Sequence, residues 1–125
     1  MSEQNDWLVR LPDHPNVLAT RIENRPLHLS HNKPHFESGK IAFGGPIYSS
    51  QPKDLEDSFK KIIGSIHLCK AATEEEVWDM VRDDPYAKLG VWNLDEVVIT
   101  PMKVFAVFSR TDSQIADTRI PNQQK

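Results

Sequence analysis

A chain of 125 residues and 14.3 kDa has room for one domain with a single core, and is small enough that a second subunit would add usefully to its buried area. Charged residues at 26% and hydrophobic residues at 38% exclude a disordered or collagen-like chain, and no apolar run approaches the ~20 residues needed to cross a bilayer. A net charge of -3 without a Lys/Arg cluster argues against nucleic acid or an anionic membrane as main partner, so a small molecule or a protein is expected.

The N-terminal MSEQNDWLVRL lacks the basic-then-apolar order of a secretory signal and the acid-poor look of a transit peptide, so a cytosolic protein is expected. The single cysteine, Cys69, can form no internal disulfide and no cysteine-rich zinc site, which suits a reducing compartment. In chain order, Asp6 to Leu11 alternates Trp7, Val9 and Leu11 against Leu8 and Arg10, the period-2 pattern of a strand with one buried face. The PDHP after it supplies turn residues, with Asp13 placed to cap a helix carrying Pro15 in its first turn. Asn16 to Ser38 is helical in composition, but Pro26 and Pro34 lack a backbone donor, and an interior proline costs about 3 kcal/mol or more. The pattern therefore predicts a short helix before Asn24 and a second from about Arg25, capped by Asn24 and ended by Ser38-Gly39.

Lys40 to Tyr48 (KIAFGGPIY) is the second predicted strand, made irregular by Gly44-Gly45-Pro46, glycines that mark a bulge or a close backbone approach at a cleft. Ser49 to Lys61 reads as a polar loop with a turn of helix at DLEDSFKK. Ile62 to Lys70 is the third strand, with Ile66 and Leu68 on one side and Ser65, His67 and Cys69 on the other. Thr73 and Glu76 form a capping box for a helix that presents Val77, Trp78, Met80 and Val81. That helix must stop at Asp83, because Asp84 precedes Pro85 and is pushed toward extended geometry. Trp92 to Phe108 is predicted as a long final strand that Pro101 bends or leaves at an edge. Residues 1–108 would then be the domain and 109–125 a loose polar tail.

The order β-α-β-β-α-β is the split βαβ or ferredoxin-like topology, an α+β fold with a four-stranded antiparallel sheet and both helices on one face. Apolar residues occur on both sides of the last strand, Val97 and Ile99 against Val98 and Val104, so the bare face would be a large apolar patch. A homodimer packed sheet on sheet, a two-chain α+β barrel, is expected.

Arg21, Arg25, His28, Asn32 and His35 recur at spacings of four, three, four and three, which is one side of a helix. A solvated face is the ordinary reading of such a stripe, and the polar wall of a cleft is the sharper one. His28, His31 and His35 invite a zinc site, but Pro34 disturbs the helix between them and no tetrahedral set is complete, so no metal is expected. His67 could serve such a site as a distant fourth ligand but reads as a satisfied or exposed histidine, and Cys69 as a small apolar residue. With no G-x-S-x-G elbow, phosphate loop or dinucleotide fingerprint, covalent and nucleotide-dependent chemistry lose ground. What remains is a histidine and an aspartate: imidazole exchanges protons near neutrality, and a carboxylate fixes its tautomer and stabilises the imidazolium. Asp84 also has an ordinary explanation, since Asp before Pro is a common turn former that bonds nearby backbone.

RPLHL (Arg25 to Leu29), GKIAFGGPI (Gly39 to Ile47), DPY (Asp84 to Tyr86) followed by GVW, and VVITPMKVF (Val97 to Phe105) together resemble the YCII-related, or YciI-like, domain family, from Trp7 to Phe105. The resemblance implies a ferredoxin-like dimeric α+β barrel. It also implies an active site made from the histidine of R-P-x-H-L and the aspartate of D-P-Y, here His28 and Asp84. Related domains include a dehydrochlorinase of chlorinated hydroxyhydroquinone, a proton-transfer enzyme on a small cyclic compound, although fold kinship alone does not fix function. The expectation is a lyase or isomerase type proton transfer on a small cyclic or carbonyl compound, needing no metal or organic cofactor. His28 would be general base or acid, Asp84 its orienting partner and Arg25 an anchor for an anionic oxygen, with Gly45 and Tyr86 lining the pocket. A non-catalytic ligand-binding or interaction module using the same cleft is the competing expectation.

Overall fold

The alternation of Trp7, Val9 and Leu11 does build a strand, β1 (Asn5–Pro12), in a computed structural model that describes residues 3–107. β1 lies between β3 (Ile62–Ala71) and β4 (Val98–Met102), and β2 (Ile41–Tyr48) closes the other edge, giving the order β2-β3-β1-β4. Every neighbouring pair is antiparallel. In this register Trp7 faces Cys69, Val9 faces His67 and Leu11 faces Ser65, so these six side chains share one face of the sheet. That face is the core: Val9 and Leu11 pack with Ile41, Val77, Val81, Tyr86, Val91 and Trp92, all essentially out of solvent. Each such burial stabilises by roughly 1.5–3 kcal/mol. The architecture is the ferredoxin-like α+β fold that the element order implies.

Two helices, α1 (Leu18–Glu23) and α2 (Arg25–Ser38), meet at Asn24 as the prolines require. Pro26 sits in the first turn of α2, where no donor is needed, and Gly39 ends the helix in the left-handed conformation at φ 84°. Pro34 is carried inside α2 without breaking it. Two capping expectations are corrected. Asp13 caps nothing: α1 starts after Val17 with no side-chain cap, and the Asp13 carboxylate instead holds the buried Arg21 guanidinium through two bonds of 2.8 and 3.2 Å. A bidentate charged pair outweighs a single cap bond. Asn24 closes α1 by donating to the Thr20 carbonyl (2.9 Å) rather than accepting from α2.

The polar loop contains a full short helix, α3 (Leu55–Lys61), whose cap Asp54 accepts from the Asp57 N–H at 2.8 Å. Thr73 caps α4 (Glu74–Asp83), while the Glu76 carboxylate reaches back to the N–H of Ala72. Asp84 is extended (φ -70°, ψ 138°) and leads into the single turn α5 (Pro85–Lys88). The long final strand is also corrected: only Val98–Met102 joins the sheet. Val91 and Trp92 are drawn into the core, Trp92 bridges to Asp13, and Leu94–Glu96 makes a 3₁₀ turn before β4 begins. Pro101 sits in this edge strand, where its missing donor does no harm. Phe108 and the expected tail 109–125 lie outside the described residues. No helix among the described residues is long and apolar enough to cross a membrane.

Candidate active site

His28 and Asn32 stand one helical turn apart on the inner side of α2, and Asp84 is presented to them from the end of α4 because Pro85 forces it out of the helix. His28 Nδ1 lies 2.8 Å from Asp84 Oδ1. Asp84 Oδ1 also accepts the N–H of Tyr86 at 2.8 Å, and Oδ2 accepts the Asn32 amide at 2.7 Å. A carboxylate that only accepts puts the proton on His28 Nδ1 and the lone pair on Nε2. Burial pushes the Asp84 carboxyl up, but the His28 hydrogen bond and charge, the Asn32 amide and the Tyr86 N–H together win and hold it below the ordinary range. Asp84 is therefore an ionised carboxylate only 2% exposed. Its bond to Tyr86 N–H is also the cap of α5, so the turn-forming and histidine-facing readings are both met by one side chain.

The imidazole is held as firmly as the carboxylate. The Tyr86 ring stacks on His28 at 4.0 Å and 9°, and Trp92 meets both rings edge-on. Tyr86 donates its hydroxyl to the Arg21 carbonyl at 3.0 Å, while the Arg21 guanidinium lies 4.8 Å over the Tyr86 ring. Arg21 also donates to Ser65 Oγ (2.6 Å), which receives the Trp92 indole N–H at 3.2 Å. Asp13, Arg21, Ser65 and Trp92 thus form a buried polar brace under the site that the sequence reading did not assemble.

The expected stripe is divided by this arrangement. Arg21, His28 and Asn32 are buried together, whereas Arg25 stays exposed. His35 turns away beside His31, their rings 5.9 Å apart, toward a shallow hollow bordered by Asp79 and Asp83. Asp83 is solvated, pairing with Lys88 at 3.2 Å.

A cleft of about 590 Å³ opens between α1, α2, α3 and β2, and the His28 ring is on its wall. Arg25, Gly45 and Tyr86 border the same cleft, along with apolar Phe36 and Phe59. The phenol oxygen of Tyr86 is committed to Arg21 and its ring is packed against His28, Arg21 and Trp92 at 1% exposure, so Tyr86 chiefly supports the imidazole. The tight backbone approach belongs to Gly44: a Cβ there would lie 2.7 Å from His67 Cδ2, whereas one at Gly45 would meet open space. His67, expected to be a satisfied or exposed histidine, is instead buried on the cleft wall. Its ring is 6.0 Å from that of His28 at 21°, on the same cleft, and burial pushes it down to about 4. The signal for it was the alternation that put His67 on the side of Ser65 and Cys69, opposite Val9 of β1.

Known proteins are similar to this chain in sequence, and a solved structure is similar to it in fold. The "Derivative of benzaldehyde biosynthesis cluster protein C" of Emericella nidulans is 46% identical over 72% of this chain and 91% of its own length. The "Xenovulene A biosynthesis cluster protein asL2" of Sarocladium schorii is 36% identical over 80% and 89%. Among solved structures, the 5-chloro-2-hydroxyhydroquinone dehydrochlorinase (TftG) of Burkholderia phenoliruptrix AC1100, in complex with 2,5-dihydroxybenzoquinone, superposes with a TM-score of 0.68. It is 27% identical, and the match covers 80% of this chain and 95% of that one. The family description "YCII-related domain" matches residues 6–103, a span that begins within β1 and ends just past β4. That span takes in the whole sheet and every helix over it, and the chain belongs to the YCII-related domain family.

Proposed function

We propose that this protein is a cofactor-independent enzyme that moves a proton to or from a small cyclic or carbonyl compound, in a lyase or isomerase type reaction. The observation that carries the reading is the 2.8 Å contact between His28 Nδ1 and an ionised, buried Asp84, on the wall of a cleft large enough for one ring-sized ligand. With Nδ1 engaged, Nε2 is the nitrogen that takes a proton from an acidic carbon or hydroxyl beside a carbonyl. Asp84 stabilises the imidazolium so formed, and Arg25, on the exposed rim, meets the enolate oxygen that develops. His28 then returns the proton to a leaving group or to a second carbon. Tyr86 and Gly45 border the ligand without titrating.

The neighbour named as a dehydrochlorinase and the two relatives named for biosynthesis clusters support an enzyme acting on a small molecule. The working form is a cytosolic homodimer joined through the sheet face that carries Phe43, Val98 and Met102, all exposed in the single chain. The test is solvent deuterium wash-in. A panel of cyclic enols, hydroxyquinones and halogenated hydroquinones, 5-chloro-2-hydroxyhydroquinone among them, is followed by NMR in D₂O with wild type, His28→Ala and Asp84→Asn. Wash-in lost in both variants is the expected result; wash-in indifferent to both removes the pair from the mechanism. Binding without any exchange supports the non-catalytic module instead.

A further inference from the structure

We infer that His67 touches the bound ring directly and selects ligands carrying a second oxygen next to the one that faces His28, that is, a vicinal dioxygenated planar ring of the catechol or hydroxyquinone class. This inference rests on the cleft reading of the proposed function, because both histidines must face the same bound molecule. The geometry allows it: the two imidazoles are 6.0 Å apart with planes at 21°, on one cleft. Hydrogen bonds of about 2.8 Å from each ring can reach neighbouring oxygens of one bound ring, whereas a lone oxygen would have to sit midway between the two imidazoles to meet both.

The local structure makes room for His67 at the expense of its neighbours. The position is on the core face of β3, opposite Val9, and two residues from the buried Cys69, where an apolar side chain would be ordinary. Across the ladder Gly44 surrenders its side chain, since a Cβ would lie 2.7 Å from the ring. Trp92 holds the imidazole edge-on at 5.7 Å. The residue is only 5% exposed and no hydrogen bond of its ring occurs among the described residues, yet neither nitrogen is a fully buried unpaired atom, so both keep an opening on the side where His67 lines the cleft. A buried polar group is nearly always hydrogen-bonded, and here the cleft is where a partner can arrive. Burial, helped by the charge of Arg21 and opposed by that of Asp84, keeps the imidazole neutral, so that it has one donor and one acceptor to offer an uncharged or anionic oxygen pair.

The probes are 4-nitrocatechol and 4-nitrophenol, which differ by the second oxygen and are titrated optically against wild type, His67→Phe and His67→Gln. Wild type is expected to bind the catechol about fivefold more tightly. In His67→Phe the ratio falls to about one while affinity for 4-nitrophenol stays within about twofold, and His67→Gln keeps part of the ratio. An unchanged ratio in His67→Phe, equal loss of both probes, or no preference or binding in wild type overturns the inference. Where His67→Phe does not fold, His67→Gln decides: a ratio between one and the wild-type value supports it, and an unaltered or abolished ratio overturns it. The titration needs no turnover, so its failure leaves a His28-dependent deuterium wash-in standing, and failure of the wash-in leaves a His67-dependent binding ratio standing.

Discussion

Burial acts with different results on two titratable side chains, His67 on the cleft wall and Asp84 behind His28. His67 is pushed down to about 4 by desolvation, whereas Asp84, also penalised by burial, is carried below its ordinary value of 3.8 by His28, Asn32 and the Tyr86 N–H. Unfolded His67 takes a proton below about pH 6.5 and the folded form not until about pH 4, so across that window the unfolded state binds more protons. Stability therefore falls as pH falls from about 6.5 to 4, by an upper limit on the order of 3 kcal/mol. Asp84 acts below this window: its contribution is present above pH 3.8 and is lost as the pH falls through its lower folded value. Because burial also holds His35 below its ordinary value, urea unfolding at successive pH values should show the upper slope reduced, not abolished, in His67→Gln and retained in Asp84→Asn; a slope unchanged in His67→Gln would refute the neutral buried imidazole. His28 and Asp84 were legible as a pair only through the motifs R-P-x-H-L and D-P-Y, since nothing local joins residues 56 positions apart. For His67 only the side of β3 was legible, because alternation groups it with Ser65 and Cys69 but does not say which side of the strand faces the core.

At the scale of elements, β2 shows how one strand is shaped by the ring beside it. Gly44 and Gly45 are adjacent and look alike in sequence, yet a Cβ on Gly44 would run into the His67 ring and one on Gly45 would meet nothing. Gly44→Ala is expected to cost about 1–3 kcal/mol through overpacking, with Gly45→Ala within about 0.5 kcal/mol of wild type. Denaturant midpoints at constant m-value measure both, and equal effects would contradict the close approach. The strands and α4 were readable because period-2 alternation and a Thr-x-x-Glu box are local signals. The ends were not. Trp92 belongs to an apolar run that looks like strand, but its indole is taken into the core beside Ser65 and Tyr86, a tertiary demand that the local pattern does not record. Asp13 failed as a cap for the same kind of reason, since Arg21 lies eight residues on and claims the carboxylate.

Over the whole molecule, the sheet has a helix-covered side and a bare side. Phe43, Val98 and Met102 on the bare side remain 51%, 54% and 40% exposed, with Leu68 opposite Phe43, Leu8 beside Leu68, and Arg10 and Asp6 opposite Val98 and Met102. Large exposed apolar side chains on an uncovered sheet face are what an interaction surface presents, here with charged residues between them. Light scattering at micromolar concentration should return twice the mass of one chain, and Phe43→Asp should shift it toward one; a wild-type monomer would contradict the sheet-on-sheet homodimer. The topology was the most legible feature of all, because the order of elements and the handedness of crossings leave few alternatives. The cleft volume and the Arg21 brace were not, since they depend on side chains brought from β1, β3, α1 and α5 at once. The most direct measurement is steady-state kinetics on whichever compound shows deuterium wash-in, comparing wild type with His28→Ala and Asp84→Asn. The expected result is a fall in kcat of about 10²–10⁴ in His28→Ala, with a loss also in Asp84→Asn and little change in KM in either. Undiminished kcat in both variants would contradict proton transfer by His28 oriented by Asp84.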